Sequence, residues 1–196
     1  MADKTLYPLQ IAMRSAERVI SYIQLACQDY GIAGSLRRGI EQVHDLDLVV
    51  WPIVEWMPAV DGKPTGLFEA GDTVQWPESL LKTLSRHGLC SYQKPTNKGY
   101  PRILKLTGEN LPIEIYLTDP DGSNFGALYQ MRTGSAEFNI ELAIRAQKRG
   151  LRYRAGYGIF DPSGKRVDNP GPSENSIFEV LGLPFIPPEK REGLSR

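Results

Sequence analysis

The sequence predicts an α+β fold, in which a mixed sheet flanked by helices precedes a smaller α+β subdomain. An N-terminal segment has apolar residues at helical spacing, and three later segments, 45–50, 103–106 and 113–117, have the composition and alternation of strands. After residue 122 the pattern changes to helices and a glycine-rich hairpin. The 196 residues are enough for one large domain or two small ones. We place the boundary near residues 122–125, which divides the chain into units 1–123 and 124–196.

The first elements are a helix and a strand. Residues 8–29 are predicted to form a helix, with Pro8 in its first turn and Gly31 ending it. The apolar positions with helical spacing are Leu9, Ala12, Ala16, Val19, Ile20, Ile23 and Cys27. A polar connection over residues 36–44 then leads to a strand over 45–50, where polar and apolar residues alternate before two β-branched valines.

The middle of the chain is predicted to contain an excursion, a helix and a strand pair. Residues 51–77 carry proline, glycine and aspartate clusters and indicate a long loop or ribbon. A helix begins at Pro77 and stops at Gly88. Residues 103–106 and 113–117 are predicted to pair as strands around the turn at 107–110.

The second unit is predicted to be mainly helical. Helices over 124–132 and 136–149 flank Thr133-Gly134-Ser135, and Gly150 stops the second of them. A hairpin region follows over 151–172. Ser173 and Glu174 are expected to cap a final helix over 175–181 that Gly182 closes.

The composition is that of an ordinary globular protein, with 41% hydrophobic and 23% charged residues. The apolar runs are too short to span a bilayer, and no apolar segment follows the N-terminal charges as in a secretory signal. Two cysteines are too few for a disulfide framework. We therefore expect a protein of the cytoplasm (the host cytoplasm if it is viral), active as a monomer and without a membrane partner.

The charges are balanced in number but uneven along the chain. Lysine and arginine total 23, as do aspartate and glutamate, which excludes a globally basic nucleic-acid binder. Two basic runs stand out: Lys82, Arg86, Lys94, Lys98, Arg102 and Lys105, then Arg145, Lys148, Arg149, Arg152 and Arg154. Separate basic surfaces beside a local acidic site suit a metal-dependent enzyme that acts on a polyanion, and the alternative is that both runs are solvated faces.

The segment from Gly34 to Asp47 contains the residues that best indicate a chemical function. Gly34-Ser35, where a strand meets a helix, can present backbone N–H groups and a hydroxyl to a phosphate. Asp45 and Asp47 share one face of a strand, roughly 6–7 Å apart, and are candidate ligands for two Mg²⁺ ions roughly 3.5–4 Å apart. A solvated edge strand would show the same Asp-x-Asp pattern.

A third carboxylate is expected on a neighbouring strand. Glu114 alternates with apolar residues as such a ligand requires. Asp119 and Asp121 are rival ligands, although their place in a turn explains them more simply.

These motifs resemble the palm and thumb of family X DNA polymerases, within the nucleotidyltransferase superfamily. The segments that carry the resemblance are AGSLRRG at 33–39, DLDLVV at 45–50, RTGSAEFN at 132–139 and SENSIFEVLGLPFIPPEKREG at 173–193. They follow the order found in that family and extend over nearly the whole chain. The expected form is a minimal palm plus thumb, similar to viral, phage and bacterial members, without a lyase domain, fingers or a phosphoesterase domain.

The resemblance implies a role for each matching residue. Gly34, Ser35 and Arg38 would bind the nucleotide phosphates, and Gly134 and Asn139 would line the sugar and base side of the pocket. Asp45, Asp47 and Glu114 would be the catalytic metal ligands for two Mg²⁺ ions, for which Mn²⁺ can substitute, although the family generally has aspartate where this chain has Glu114. The residues expected to contact DNA are Lys98, Arg102, Arg145, Lys148 and Arg149.

The implied activity is DNA polymerase activity, namely transfer of deoxynucleotides from a dNTP to the 3′-hydroxyl of a DNA primer on a template, in gap filling or repair. Two alternatives stay open. One is a nucleotidyltransferase with another acceptor, such as RNA, a small molecule or a protein. The other is a catalytically impaired module that only binds nucleic acid.

Overall fold

The computed structural model describes residues 5–60, 72–96 and 100–193. Its elements up to residue 86 are β1 (Tyr7–Pro8), α1 (Leu9–Ile23), β2 (Cys27–Ile32), α2 (Gly34–Arg37), β3 (Gln42–Val43), β4 (Leu46–Pro52), β5 (Glu55–Pro58), β6 (Thr73–Trp76) and α3 (Glu78–Arg86). The remaining elements are β7 (Ile103–Leu106), β8 (Ile113–Leu117), α4 (Phe125–Thr133), α5 (Ala136–Lys148), β9 (Arg152–Arg154), β10 (Gly158–Phe160) and α6 (Asn175–Val180). Single 3₁₀ turns lie at Gln24–Ala26 and Pro188–Lys190.

A four-stranded mixed sheet forms the centre of the first part. Its strand order is β2-β4-β8-β7, with β4 and β8 parallel and the outer pairs antiparallel. This arrangement confirms the predicted α+β fold with a mixed sheet flanked by helices.

The two faces of the sheet have different partners, because successive side chains of a strand point to opposite sides. Leu46, Leu48 and Val50 of β4 belong to the large apolar core, which also contains buried residues of α1 and α3. Val49 of β4 and Tyr116 of β8 instead pack with residues of α4. Asp47 has the same parity in β4 as Val49 and therefore lies on the α4 face.

The second part has its own apolar cluster, formed by the buried side chains Ala127, Phe138, Leu142, Ala146, Ile159, Ile177, Phe178 and Leu181. Helix α4 contributes to both parts, since Phe125 and Leu128 pack with the sheet while Ala127 packs in this second cluster. The division between residues 123 and 124 stays a prediction.

The predicted helix over 8–29 is wrong beyond residue 23. Helix α1 ends at Ile23, residues 24–26 tighten into a 3₁₀ turn, and β2 follows. Strand β2 pairs with β4, so contacts with a segment about 20 residues away determine its structure. Gly31 lies inside this strand and does not end the helix. A Cβ there would lie 2.7 Å from the ring of Tyr129, so glycine allows the ring to pack on the strand.

The other predicted helices and strands are found within two residues of their predicted bounds. The excursion after β4 is in part a ribbon, because β5 and β6 pair as antiparallel strands. Strands β7 and β8 pair as predicted, and β9 and β10 form the expected hairpin. Ser173 accepts a hydrogen bond from the Asn175 N–H at 3.2 Å near the start of α6, whereas Glu174 is turned into a buried ion pair and does not cap the helix. None of the helices in the described ranges has the length and apolar content needed to cross a bilayer.

Candidate active site

The register of two parallel strands places two of the candidate carboxylates side by side. Asp47 of β4 is the direct partner of Glu114 of β8, so both side chains lie on the α4 face of the sheet. Asp45 lies one residue before β4 and is close enough to Asp47 for the two charges to repel. The three residues therefore lie in one region, at the start of the parallel pair.

Gly34 is in contact with this carboxylate region. The backbone of Gly34 begins α2 at a φ of +62°, and a Cβ there would lie 2.6 Å from Asp47 Oδ2. The Ala33 N–H also donates to the Asp47 carbonyl at 2.9 Å. Glycine is required at position 34 because any larger residue would collide with the Asp47 side chain in an unfavourable backbone conformation.

Asp47 is electrostatically strained in this position. Burial and the nearby charge of Asp45 raise the pKa of the Asp47 carboxyl from 3.8 to about 6, and Glu114 adds to the increase. Arg132 and Arg38 act in the opposite direction. A carboxylate that burial and like charges destabilise is one that a bound cation would stabilise.

Glu114 has two partners of its own. Its Oε2 accepts a hydrogen bond from the Tyr116 hydroxyl, and its Oε1 lies 2.9 Å from Lys105 Nζ. These two bonds hold the pKa of Glu114 below its ordinary value. The sheet explains the arrangement, because Lys105 is the register partner of Glu114 in β7 and Tyr116 follows Glu114 by two residues on the same face.

The fit of these residues to a metal is partial. Within residues 5–60, 72–96 and 100–193, no three histidine, cysteine, aspartate or glutamate side chains are grouped so that they could share a metal ion. Asp45 and Asp47 offer the hard oxygen donors that Mg²⁺ prefers, and their mutual repulsion favours a cation between them. Glu114 could join them only after its bonds to Lys105 and Tyr116 open.

Arg38 connects the phosphate-binding candidates with the second part of the chain. Its Nη1 donates to the Thr133 carbonyl at 2.8 Å, and its Nε donates to Glu192 Oε1 at 2.5 Å. Ser35 is half-buried in α2, between Gly34 and Arg38 in sequence.

Gly134 and Asn139 lie together at the junction of α4 and α5. A Cβ at Gly134 would lie 3.0 Å from Asn139 Oδ1. The Asn139 amide donates to the Met131 carbonyl at 2.8 Å and accepts from Gln130 Nε2 at 3.0 Å, so it holds the end of α4 against α5. Ser135 caps α5 by accepting from the Phe138 N–H at 3.1 Å.

The predicted DNA-contacting side chains are in different environments. Arg102 forms an ion pair with Asp119, and Arg145 donates to the carbonyls of Leu181 and Gly182 at 2.7 and 3.2 Å. Lys148 and Arg149 are exposed at the C-terminal end of α5. Lys98 lies outside the described residues.

Folding brings acidic partners to the first basic run, although none lies within it in sequence. Lys82 pairs with Glu78 at 2.8 Å, Lys105 pairs with Glu114, and Arg102 pairs with Asp119. Asp121 accepts from the Ser123 N–H at 3.0 Å, which is a turn contact. Asp121 therefore makes a local turn contact, whereas the Asp119 carboxylate pairs with Arg102, 17 residues earlier in the chain.

A buried ion network joins α2 to the end of the chain. Glu174 accepts hydrogen bonds from Arg37 Nη2 at 2.7 Å and from both terminal nitrogens of Arg191 at 2.9 Å. The Arg191 side chain is fully buried. Arg37 also donates to the Thr133 hydroxyl at 2.6 Å. The network fixes the tail of the chain next to the Thr133-Gly134-Ser135 segment.

Several residues of this region were not singled out as site residues from sequence. Arg132 of α4 stacks its guanidinium on the Tyr116 ring, 3.5 Å from the ring centroid, and its Nε is buried without a hydrogen-bond partner among the described residues. Lys105 and Tyr116 lie in segments that the sequence predicts to be strands, but their bonds to Glu114 depend on the register of β7 and β8. Glu174, Arg37 and Arg191 lie far apart in sequence, and no local pattern signals their contact.

The mixed sheet with its carboxylate face and the smaller α+β part correspond to a palm-plus-thumb arrangement. Residues 128–192 match the family model described as the DNA polymerase beta thumb. The chain is also 27% identical over 192 residues to "DNA polymerase/3'-5' exonuclease PolX" of Bacillus subtilis (strain 168). The aligned region is 95% of this chain and 28% of the length of that relative. Both comparisons thus find the similarity to family X DNA polymerases that the motifs predicted.

Proposed function

We propose that this protein is a divalent-metal-dependent nucleotidyltransferase that adds deoxynucleotides from dNTPs to the 3′-hydroxyl of a DNA primer, in gap filling or repair. The observation that carries the proposal is the register that sets Asp47 beside Glu114, with the Gly34 backbone against the Asp47 carboxylate. The candidate phosphate-binding turn and the acidic residues thus lie together at one place on the sheet. The similarity to a named DNA polymerase supports DNA as the acceptor.

Phosphoryl transfer depends mainly on charge neutralisation and alignment, and the residues present can supply both. Asp45 and Asp47 would hold Mg²⁺, with Glu114 joining them once its bonds to Lys105 and Tyr116 open. Bound there, Mg²⁺ would neutralise phosphate charge and acidify the acceptor hydroxyl. Gly34, Ser35 and Arg38 would bind the phosphates, while Gly134 and Asn139 would support the sugar and base side.

The thumb would hold the nucleic acid. Lys148 and Arg149 are exposed on α5 and suit contact with backbone phosphates. Arg102 and Arg145 would reach DNA only by exchanging their present partners.

A second candidate function is a catalytically impaired module that binds nucleic acid. The observation that favours it is the engagement of both Glu114 oxygens by Tyr116 and Lys105. In that case Glu114 never joins Asp45 and Asp47, and the protein binds DNA without extending it.

Primer extension distinguishes these functions. The wild-type protein is incubated with dNTPs and Mg²⁺ or Mn²⁺ on gapped, recessed and single-stranded DNA, and in parallel with an RNA primer. We expect template-directed extension on gapped or recessed DNA. Asp47→Asn should abolish it, because the substitution removes a metal-binding charge.

The matched control is Asp121→Asn, which makes the same chemical change in a turn and should leave extension intact. DNA binding without incorporation under either metal would identify the impaired module. Incorporation confined to RNA would identify a different acceptor, and extension by Asp47→Asn at the wild-type rate would overturn the proposal.

A further inference from the structure

The C-terminal tail contacts Arg38, one of the candidate phosphate-binding residues. Arg38 donates from Nε to Glu192 Oε1 at 2.5 Å, and its other contact, from Nη1 to the Thr133 carbonyl, fixes the plane of the guanidinium. The Arg38 side chain is 12% exposed, whereas that of Glu192 is 56% exposed. A largely buried arginine thus has a solvent-accessible carboxylate as its acidic partner.

The position of Glu192 does not depend on Arg38 alone. The preceding residue, Arg191, is anchored through its side chain to Glu174 and to the Ile186 carbonyl at 2.8 Å. The Arg191 carbonyl also accepts from the Ser135 N–H at 3.0 Å. Because the tail is held up to residue 191, Glu192 stays near Arg38 at little further cost in chain entropy.

We propose that Glu192 is a further residue of the nucleotide site, whose carboxylate occupies Arg38 until the phosphates of an incoming nucleotide displace it. This inference rests on the proposed function, in which Arg38 binds those phosphates. A guanidinium uses the same N–H donors for a carboxylate and for a phosphate, so the two acceptors compete for Arg38 Nε. Glu192 also repels a bound polyphosphate, because both are negatively charged.

Two consequences follow for affinity. Glu192 weakens nucleotide binding, and a ligand must supply enough negative charge at Arg38 to replace it. This loss of affinity therefore applies to a triphosphate that reaches Arg38, and it is absent for a nucleoside without phosphates. Glu192 thereby acts as a positioning residue that keeps Arg38 oriented toward the site while no nucleotide is present.

The test measures binding of the Mg²⁺ complex of a non-hydrolysable dNTP analogue to the full chain without DNA. The variants are Glu192→Gln and its matched control Glu189→Gln, which makes the same charge change in the exposed 3₁₀ turn of the same tail. We expect Glu192→Gln to lower Kd by about two- to fivefold at low salt, as for a partly exposed ion pair, with a smaller effect at high salt. Glu189→Gln should leave Kd unchanged.

A double-mutant cycle with Arg38→Gln tests whether Glu192→Gln changes the nucleotide affinity through Arg38. In that background Glu192→Gln should produce no gain, because the competition has been removed. Thermal melting of each variant verifies that it is folded.

The outcomes separate this inference from the function on which it rests. Equal Kd values for wild type and Glu192→Gln, with clear binding in both, would overturn the role of Glu192 and leave the proposed function intact. An equal gain with Glu189→Gln would also overturn it, because net charge would then be the cause. Absence of nucleotide binding in wild type and every variant would overturn both proposals.

Discussion

Gly34 and Asp47 constrain each other through a close contact. The glycine has a left-handed φ, and the space that its side chain would fill is taken by the Asp47 carboxylate. The sequence motif predicted a candidate phosphate-binding turn and an acidic strand. It could not predict that they touch, because the contact depends on how α2 packs on β4.

Gly34→Ala tests this contact, with Gly39→Ala as the matched control. Both glycines have positive φ, at +62° and +76°, but a Cβ at Gly39 would meet nothing within 4 Å. We expect Gly39→Ala to lower the free energy of unfolding by about 1 kcal/mol, the cost of a left-handed alanine, and to leave nucleotide binding unchanged. Gly34→Ala should cost more and should weaken nucleotide binding, because Asp47 has to move.

Chemical denaturation and nucleotide titration of the two variants give the comparison. Equal losses of stability and unchanged nucleotide affinity in both would show that the Asp47 contact has no role.

The position of Glu114 could be predicted from the sequence, but its hydrogen-bond partners could not. Its alternation with apolar residues predicted a side chain on one face of a strand, and it lies beside Asp47. The same register also brings Lys105 to that face, and Lys105 pairs with it. The sequence held no sign of this pairing, since the register between β7 and β8 is set by the turn and by packing of both strands.

At the level of secondary structure, helix α1 and strand β2 show that a local apolar pattern does not determine where a helix ends. The apolar periodicity was correct through residue 23 and continued by chance to Cys27. Pairing with β4 then determined the structure of residues 27–32. By contrast, α3, α5, β7 and β8 were predictable because capping residues, glycine stops and alternation agreed with their final packing.

Helix α6 and the tail depend on one buried carboxylate. Burial by itself would raise the pKa of Glu174, but the hydrogen bonds from Arg191 and Arg37 outweigh it and hold the pKa below its ordinary 4.5. This ion network therefore contributes its full stability above pH 4.5, and the contribution is lost as the pH falls through the lowered pKa.

Glu174→Gln should be strongly destabilising, because it leaves the fully buried Arg191 without a countercharge. We expect a loss of about 3–5 kcal/mol in the free energy of unfolding, measured by urea denaturation at neutral pH. Glu179→Gln, an exposed site on the same helix, should change stability by less than about 0.5 kcal/mol. A similar small effect for both variants would mean that the network adds little to the stability of the tail.

At the scale of the whole molecule, the chain joins a palm-like sheet and a thumb-like helical part through α4 and the tail. The order of motifs along the sequence predicted both parts and their resemblance to family X polymerases. The connections between them were not predictable, because Arg37, Arg38 and Arg132 meet their partners only in the folded chain. The site thus combines residues that a motif identifies with residues that only the fold brings together.

In the proposed function, Asp45 and Asp47 form a cation site whose charges oppose folding when the cation is absent. The raised pKa of Asp47, about 6, means that this destabilisation is fully present above pH 6 and is relieved as the pH falls toward 3.8. At neutral pH, Asp47→Asn should therefore stabilise the metal-free protein, by about 1–3 kcal/mol.

The most direct test is thermal melting of wild type and Asp47→Asn at pH 7.5, each after chelation and again with added Mg²⁺ or Mn²⁺. We predict that metal-free Asp47→Asn melts a few degrees above metal-free wild type, and that the added metal raises the Tm of wild type only. A lower Tm for metal-free Asp47→Asn, or an equal response of both proteins to the metal, would contradict a cation site at Asp47.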